Sequence, residues 1–212
     1  MASRHTVRQY LDKPVEAPLL NNLQARVKEL NQNLGLDMKI LAENTKAVSF
    51  LMKLFTGKNV KNYLLLSADE GKEEALGYAS ADFMLFAQTL GLNTWWIGGT
   101  YNHDVSSYSE GKKTIGIVAF GYGANEGRPH KGKKYENVAS YKGEAPTWFK
   151  EGVEASLLAP TAINRQAFQI RGEGNKVRIS YKSGAFSFAD LGIVKYHFEL
   201  GAGKENFVYE NE

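Results

Sequence analysis

The chain has 212 residues, 43% of them hydrophobic and 23% charged, with a formal net charge of +3 at pH 7. This is the composition of a globular protein with a substantial core, and it excludes a disordered chain. Cysteine is absent, which removes disulfides, thiolate nucleophiles, cysteine-based zinc sites and iron–sulfur clusters, and leaves any redox chemistry to a bound cofactor.

Residues 16–31 place Leu20, Leu23, Val27 and Leu30 at helical spacing, with Pro18 tolerated in the first turn, and predict an amphipathic helix. The run NYLLLSA (62–68) is short, apolar and bounded by polar residues, as a buried strand is. GYASADFMLFAQTLGL (77–92) is apolar on most of its faces, which predicts a helix covered on several sides. TIGIVAFGYG (114–123) predicts a strand ending in glycines, and a polar, turn-rich stretch runs from there to Pro146. Phe149, Val153 and Leu157 then line a helix, with Thr147 in position to cap it. FQIRGEGNKVRISY (168–181) reads as two strands about a glycine turn, with Val177, Ile179 and Tyr181 alternating. Leu191, Val194 and Phe198 mark a last helix, and FVY (207–209) a last short strand. Helices and strands alternate in two rounds, about 1–125 and 146–212, which predicts a layered sheet with helices packed on its faces. We expect one domain, 1–212, made of two structural pseudo-repeats without residue identity between them and joined by a basic loop. No stretch approaches the ~20 apolar residues of a membrane span, and the N-terminus carries Arg4, Arg8 and Asp12 with no apolar leader core, so the expected location is cytoplasmic.

Four short stretches carry chemistry. In SRHTVRQY, Arg4 and Arg8 flank Thr6, and an extended chain sends these alternate side chains to one face. Such a set suits phosphate, because a guanidinium is a rigid fork matched to its oxygens; two arginines near a terminus are equally at home in solvent. In AQTLGLNTWWIGG (87–99) an apolar helix runs into Gly91, then Trp95, Trp96 and the pair Gly98 and Gly99, where backbone can approach a flat ligand or the tryptophans simply fill a core. In GYGANEGRPHKGKK (121–134), Arg128, Lys131, Lys133 and Lys134 crowd a loop after a buried strand, fitting an anion contact, a solvated face or a nucleic-acid patch, although no aromatic residues interleave there. In LLAPTAINRQAFQI (157–170), Thr161, Asn164, Arg165 and Gln166 follow Pro160; Asn164 can read a heterocycle edge that offers C=O and N–H together, or close an Asx turn of its own. Neither a G-x-G-x-x-G nor a P-loop is present, so a phosphate would have to be held by side chains.

Together these motifs resemble the FMN-dependent nitroreductases over nearly the whole chain. SRHTVRQY is similar to their Arg-x-Ser/Thr-x-Arg/Lys entry motif, LGLNTWWIGG to the exit of their central helix, GYGANEGRPHKGKK to their Gly-Tyr-Pro turn and basic stretch, and LAPTAINRQAF to Ala-Pro-Ser-x-x-Asn-x-Gln-Pro-Trp. The last motif opens the second half, an order that resembles the TM-type nitroreductase subgroup, matched by Trp148, Glu154, Ala155, Ala159, Pro160, Thr161 and Ala162. The chain departs from the pattern at Thr6 in place of serine, at Ala167 and Phe168 in place of Pro-Trp, and in the Arg-Pro-His-Lys wording of the basic loop.

The resemblance implies an α+β, three-layer α/β/α fold, with two tandem helix–strand–helix–strand halves around a mainly antiparallel sheet. It also implies bound FMN. Arg4 and Thr6 would hold phosphate or ribityl oxygens, Arg128 and Lys131 would complete the phosphate cage, and Arg8 would lie at the pyrimidine edge. Backbone N–H groups of Ile97, Gly98 and Gly99 would face the ring, and Pro160, Thr161 and Asn164 would close the pocket. His197 has a family counterpart, but a lone helix histidine reads as structural and stays outside the expected site. The implied activity is FMN-dependent transfer of electrons from NADH or NADPH to a small acceptor such as a nitroaromatic or a quinone. No general acid or base and no metal set stands out, and neither nucleic acid nor membrane is an expected partner. One chain would carry one complete site, so a monomer suffices and a homodimer is compatible. Two other readings stay open on the residues alone: a flavin-binding protein without turnover, and an anion- or RNA-binding module centred on 128–134.

Overall fold

A computed structural model describes residues 1–48 and 57–210. The chain is α+β: α1 (Ala17–Leu34), β1 (Lys39–Leu41), β2 (Asn62–Ala68), α2 (Glu73–Thr89), β3 (Asn93–Ile97), β4 (Lys113–Gly121), β5 (Ala139–Lys142), α3 (Thr147–Ser156), β6 (Phe168–Glu173), β7 (Lys176–Tyr181), α4 (Ser187–Ala202) and β8 (Val208–Tyr209). The strands divide between two four-stranded sheets, ordered β1-β2-β4-β3 and β5-β6-β7-β8. All pairs in the first are antiparallel. In the second, an antiparallel β6–β7 hairpin is flanked by the parallel pairs β5–β6 and β7–β8, because α3 and α4 are the crossovers that parallel neighbours require.

β2 is buried on both faces, as its unbroken apolar run predicts. Leu64 and Leu66 pack with Leu23, Val27 and Leu30 of α1 and with Leu76, Phe83 and Met84 of α2. Tyr63 and Leu65 face the other way, into a layer formed by Tyr10, Val48, Val60, Tyr101 and Val105. The second sheet lays Phe168, Ile170, Val177 and Ile179 against Phe149 and Val153 of α3 and Ile193, Val194 and Phe198 of α4. Helices therefore fill the space between the two sheets. α2 and α4 meet at backbone contact: a methyl at Gly77 would sit 2.0 Å from the Ala189 carbonyl oxygen, and one at Gly192 1.9 Å from that of Glu74.

Three expectations are corrected. α2 starts a turn before residue 77, with Glu73 and Glu74 in its favourable first turn, and it ends before Gly91. Thr147 does not cap α3: Pro146 holds the extended N-cap position, and Thr147 is already helical. The Trp95–Trp96 stretch is itself a strand, β3, whose alternation sends Trp95 and Trp96 to opposite faces. Among the described residues no helix is long and apolar enough to cross a membrane.

Candidate functional site

The N-terminal segment lies along the open edge of the first sheet. Thr6 pairs in parallel with Thr94 of β3, Val7 donates its N–H to the Thr94 carbonyl, and Tyr10 pairs with Gly123 beyond β4. Burial of Val7 and Tyr10 anchors the segment. Arg4 is buried at 6% exposure, and among the described residues no carboxylate pairs with it. Burial alone pulls its pKa down to about 10. Arg8 is exposed and lies over the Trp95 ring, 5.6 Å from its centroid, a cation–π contact that keeps the guanidinium in place while leaving its edge free.

The basic loop is stitched at one end to this segment and at the other to the second half. At its start, His5 Nδ1 bonds the Glu126 carbonyl at 3.0 Å. Gly127, at φ 73°, fits so closely that a Cβ there would lie 2.8 Å from His5 Cβ and 2.9 Å from the Thr6 carbonyl oxygen, so both the backbone angle and the space call for glycine. At its far end, Asn164 Nδ2 donates to the Lys131 carbonyl at 2.7 Å. The Lys133 N–H donates to Gln166 Oε1 at 2.6 Å, and Lys133 Nζ to the Gln166 carbonyl at 2.8 Å. Gln166 Nε2 donates to the Leu157 carbonyl and to His130 Nε2, both at 2.8 Å. That last bond makes His130 Nε2 an acceptor, so its proton sits on Nδ1. Desolvation, with the Arg4 charge behind it, lowers the His130 pKa; the imidazole is thus held neutral beside the buried guanidinium.

The turn after α3 is a strained, firmly tied structure. Ile163, Asn164 and Gln166 all have positive φ, a conformation that costs non-glycine residues free energy and persists only where contacts over-determine it. Those contacts are on hand. The carboxylate of Asp190, 4% exposed on α4, accepts the Ala162 N–H at 3.0 and 3.1 Å and the Tyr181 hydroxyl at 2.7 Å, and the Gln166 N–H donates to Thr161 Oγ1 at 3.0 Å. Burial raises the pKa of Asp190 while the Tyr181 and Ala162 bonds oppose the rise. The side chain of Ile163 is 91% exposed.

The expected site residues thus fall into two groups. Arg4, Thr6, Lys131, Thr161 and Asn164 belong to one continuous set of bonded segments, with Arg128 directly after the Gly127 contact and Pro160 leading into the turn. Arg128 and Lys131 are exposed and have no acidic partner among the described residues. Ile97 ends β3 and Gly98 and Gly99 follow it, without a direct bond to that set among the described residues. A Cβ on Gly98 would meet Phe186 Cζ at 2.6 Å and Trp96 Cζ3 at 2.7 Å, whereas Gly99 faces open space. Among the described residues neither Gly98 nor Gly99 donates its N–H to a turn or loop carbonyl. Phe186, at φ 64°, packs edge-on against Trp96 at 5.5 Å beside a cavity of about 320 Å³ lined in part by Ile115, Phe186 and Phe188. The key tie, Gln166, falls outside the expected set although it stands in the same turn; its signal is a second amide two residues after Asn164. Asp190 and Phe186 carry no motif that would mark them, and His130 stands inside the basic-loop motif without being singled out there.

The family model described as "Putative TM nitroreductase" matches residues 1–202. A Thermotoga maritima protein, described as a putative nitroreductase, superposes with a TM-score of 0.68 at 20% identity, over 96% of this chain and 82% of its own. An FMN-dependent nitroreductase of Clostridium difficile superposes with a TM-score of 0.50 at 19% identity, over 64% of this chain and 93% of its own. A nitroreductase-type protein of Desulfovibrio desulfuricans solved with FMN gives 0.51 at 14%, over 64% and 91%. No curated protein matches the sequence. At these identities the superpositions speak for the fold, and the match over 202 residues speaks for the family: the chain belongs to the TM nitroreductase family of oxidoreductases.

Proposed function

We propose that the chain is an FMN-dependent NAD(P)H oxidoreductase that passes electrons to a small acceptor such as a nitroaromatic or a quinone. The observation that carries this reading is Arg4, a buried guanidinium with no carboxylate paired to it among the described residues. Leaving such a charge unpaired is costly, and a dianionic phosphate is the chemistry that offsets the cost. The neighbouring residues fit the same group: Thr6 adds a hydroxyl, Arg128 and Lys131 add exposed cations, and His130 is held in its uncharged form. Among the solved relatives, one is described as FMN-dependent and another is in complex with FMN, which supports FMN as the ligand here.

When bound, FMN supplies the hydride chemistry, and the protein supplies position and electrostatics. Arg4, Thr6, Arg128 and Lys131 would hold the phosphate end. The parallel pairing of Thr6 with Thr94 points the segment along β3 toward Gly98, so Arg8 would meet the pyrimidine edge and offset the negative charge that reduction places there. The backbone N–H groups of Ile97, Gly98 and Gly99 would face the ring, and Pro160, Thr161 and Asn164 would close the pocket from the second half. Because both sets of residues come from one chain, we assign one complete site per chain, within one domain of two structural halves.

Titrating FMN into flavin-free protein tests this, with Arg4→Ala beside the wild type and NADH or NADPH oxidation by a quinone as the second readout. We expect retention of flavin by the wild type, loss of affinity by at least tenfold in Arg4→Ala, the worth of one charge-assisted bond, and steady consumption of nicotinamide. Failure of the wild type to bind FMN overturns the proposal; retention without turnover reduces it to a flavin-binding protein.

A further inference from the structure

The cavity of about 320 Å³ beside Phe186 takes no part in the anion site. It is lined by Ile115 of β4, by Phe186, Phe188 and Ala189 at the start of α4, and by the charged side chains Glu73 and Lys113. Phe186 is held there at a cost. A phenylalanine at φ 64° is a backbone outlier, and such strain persists only where neighbours over-determine it. Trp96 is one such neighbour: its indole N–H donates to Ser80 Oγ at 3.2 Å, and its ring meets Phe186 edge-on at 5.5 Å. Gly98 is the other, since a Cβ there would lie 2.6 Å from Phe186 Cζ. Phe188, by contrast, is 65% exposed. The cavity thus offers one fixed aromatic ring and one uncovered ring.

Size and charge decide what fits. The volume stands at the low end of the ~300–1,000 Å³ usual for ligand cavities, room for a molecule of one or two rings and too little for a dinucleotide. Lys113 Nζ is already met by Glu73 at 2.7 Å and by Glu70 at 3.5 Å, so its charge is compensated and no anionic ligand is called for. Position follows from the sheet. Ile97 pairs with Ile117, and a Cβ on Gly116 would lie 3.3 Å from Gly98 Cα; β4 therefore carries Ile115 alongside the Gly98–Gly99 pair, where Gly99 faces open space. We propose that this cavity is the acceptor site, and that it takes an uncharged aromatic acceptor of one or two rings, a quinone or a nitroarene, packed against Phe186 and Phe188. The role as acceptor rests on the oxidoreductase reading above; the binding of the ring does not.

The probe is naphthoquinone, added to the flavin-free full chain while the methyl groups of Ile115 are followed by ¹³C NMR. Binding should shift the Ile115 resonances. Phe188→Ala should weaken it about two- to tenfold, the worth of one aromatic pair, and Phe188→Tyr, which keeps the ring, should stay within about twofold of the wild type by the same scale. Naphthoquinone sulfonate, the same rings with an anion added, should bind at Ile115 no more tightly than the parent quinone. In the FMN-loaded protein, Phe188→Ala should lower kcat/KM for the quinone by the same factor and leave kcat/KM for NADH or NADPH unchanged, because the dinucleotide does not enter the cavity. Unmoved Ile115 resonances, wild-type affinity in Phe188→Ala, or a preference for the sulfonate of more than about tenfold overturns the assignment. If the quinone binds at Ile115 while FMN does not bind, the flavin reading fails and this site stands; if FMN is retained and the quinone reduced with Ile115 unmoved, this site fails and the flavin reading stands.

Discussion

Replacing Gln166 with alanine strikes the joint between the basic loop and the second half. The side chain is 1% exposed and makes three bonds: Nε2 to the Leu157 carbonyl and to His130 Nε2, and Oε1 from the Lys133 N–H. At about 0.5–1.5 kcal/mol net for each bond, Gln166→Ala should cost about 2–4 kcal/mol of folding stability. For a chain of this length 1 kcal/mol corresponds to about 2–4 °C in Tm, so differential scanning calorimetry should show a fall of about 4–16 °C. Backbone strain does not confuse the comparison, because alanine and glutamine bear a similar penalty at the positive φ of residue 166. Gln166→Glu separates the two ends: it keeps the acceptor for Lys133 but loses the donors to Leu157 and His130, and should fall between. FMN affinity should drop with stability in both variants, since fewer bonds then tie the loop to the turn; in Gln166→Ala those left are Asn164 Nδ2 to the Lys131 carbonyl and Lys133 Nζ to the backbone carbonyl of residue 166. A Tm within 2 °C of wild type in Gln166→Ala would refute the reasoning, because a side chain with these partners cannot be idle if they are formed.

Gly98→Ala should cost about 1–3 kcal/mol by overpacking, read by urea denaturation, because the new methyl would lie 2.6 Å from the Phe186 ring; adding Phe186→Ala should recover most of it, and no recovery would mean that Phe186 is not the obstacle. Acid should destabilise the protein through His197, whose pKa burial pushes down to about 3 from an ordinary value of 6.5. The unfolded chain then binds a proton that the folded chain refuses, so stability is intact above pH 6.5 and is lost as pH falls toward 3, by about 1.4 kcal/mol at pH 5.5; a wild-type loss no larger than that of His197→Phe between pH 7.5 and 5.5 would count against it. Asp190→Asn should unfasten the 161–166 turn, because an amide replaces one carboxylate oxygen facing Ala162 and Tyr181; we expect about 2 kcal/mol lower stability, the scale for a hydrogen bond to a charged group, and faster hydrogen exchange at Ala162.

The long apolar runs were the easily legible part of the fold. NYLLLSA is a buried strand because the six apolar or small residues after Asn62 leave no face for water, and the stripes of α1, α3 and α4 follow from their spacing. β1 and β5 were not legible: each is three or four residues long with mixed polarity, and tertiary pairing alone makes them strands. β3 was hidden by its own composition, since two adjacent tryptophans and a glycine pair look like a core plug or a ligand loop until β4 supplies a partner. Division of the strands into two sheets depends on the close meeting of α2 and α4 at Gly77 and Gly192, which no local pattern announces. At the site, Arg4 and Thr6 could be picked out because an extended chain aligns alternate side chains, and Asn164 because its turn chemistry is local. Gln166 and His130 stand inside the motifs, but their roles, like that of Asp190, are made by partners 9 to 36 residues distant in sequence and so were not legible. His197 looks structural from sequence for a sound reason, its helical setting; that its Nε2 is buried without a partner among the described residues could not be read there.

The central claim is that the front of this chain and its basic loop hold one phosphate between them, with the turn of the second half closing the same pocket. The position of the FMN phosphate in crystals of the loaded protein tests it most directly. Our account predicts phosphate oxygens within hydrogen-bond distance of Arg4 and of a cation from the 128–131 stretch, with Asn164 and Thr161 of the same chain lining the flavin. A phosphate bound elsewhere, with Arg4 still unpaired, would contradict it.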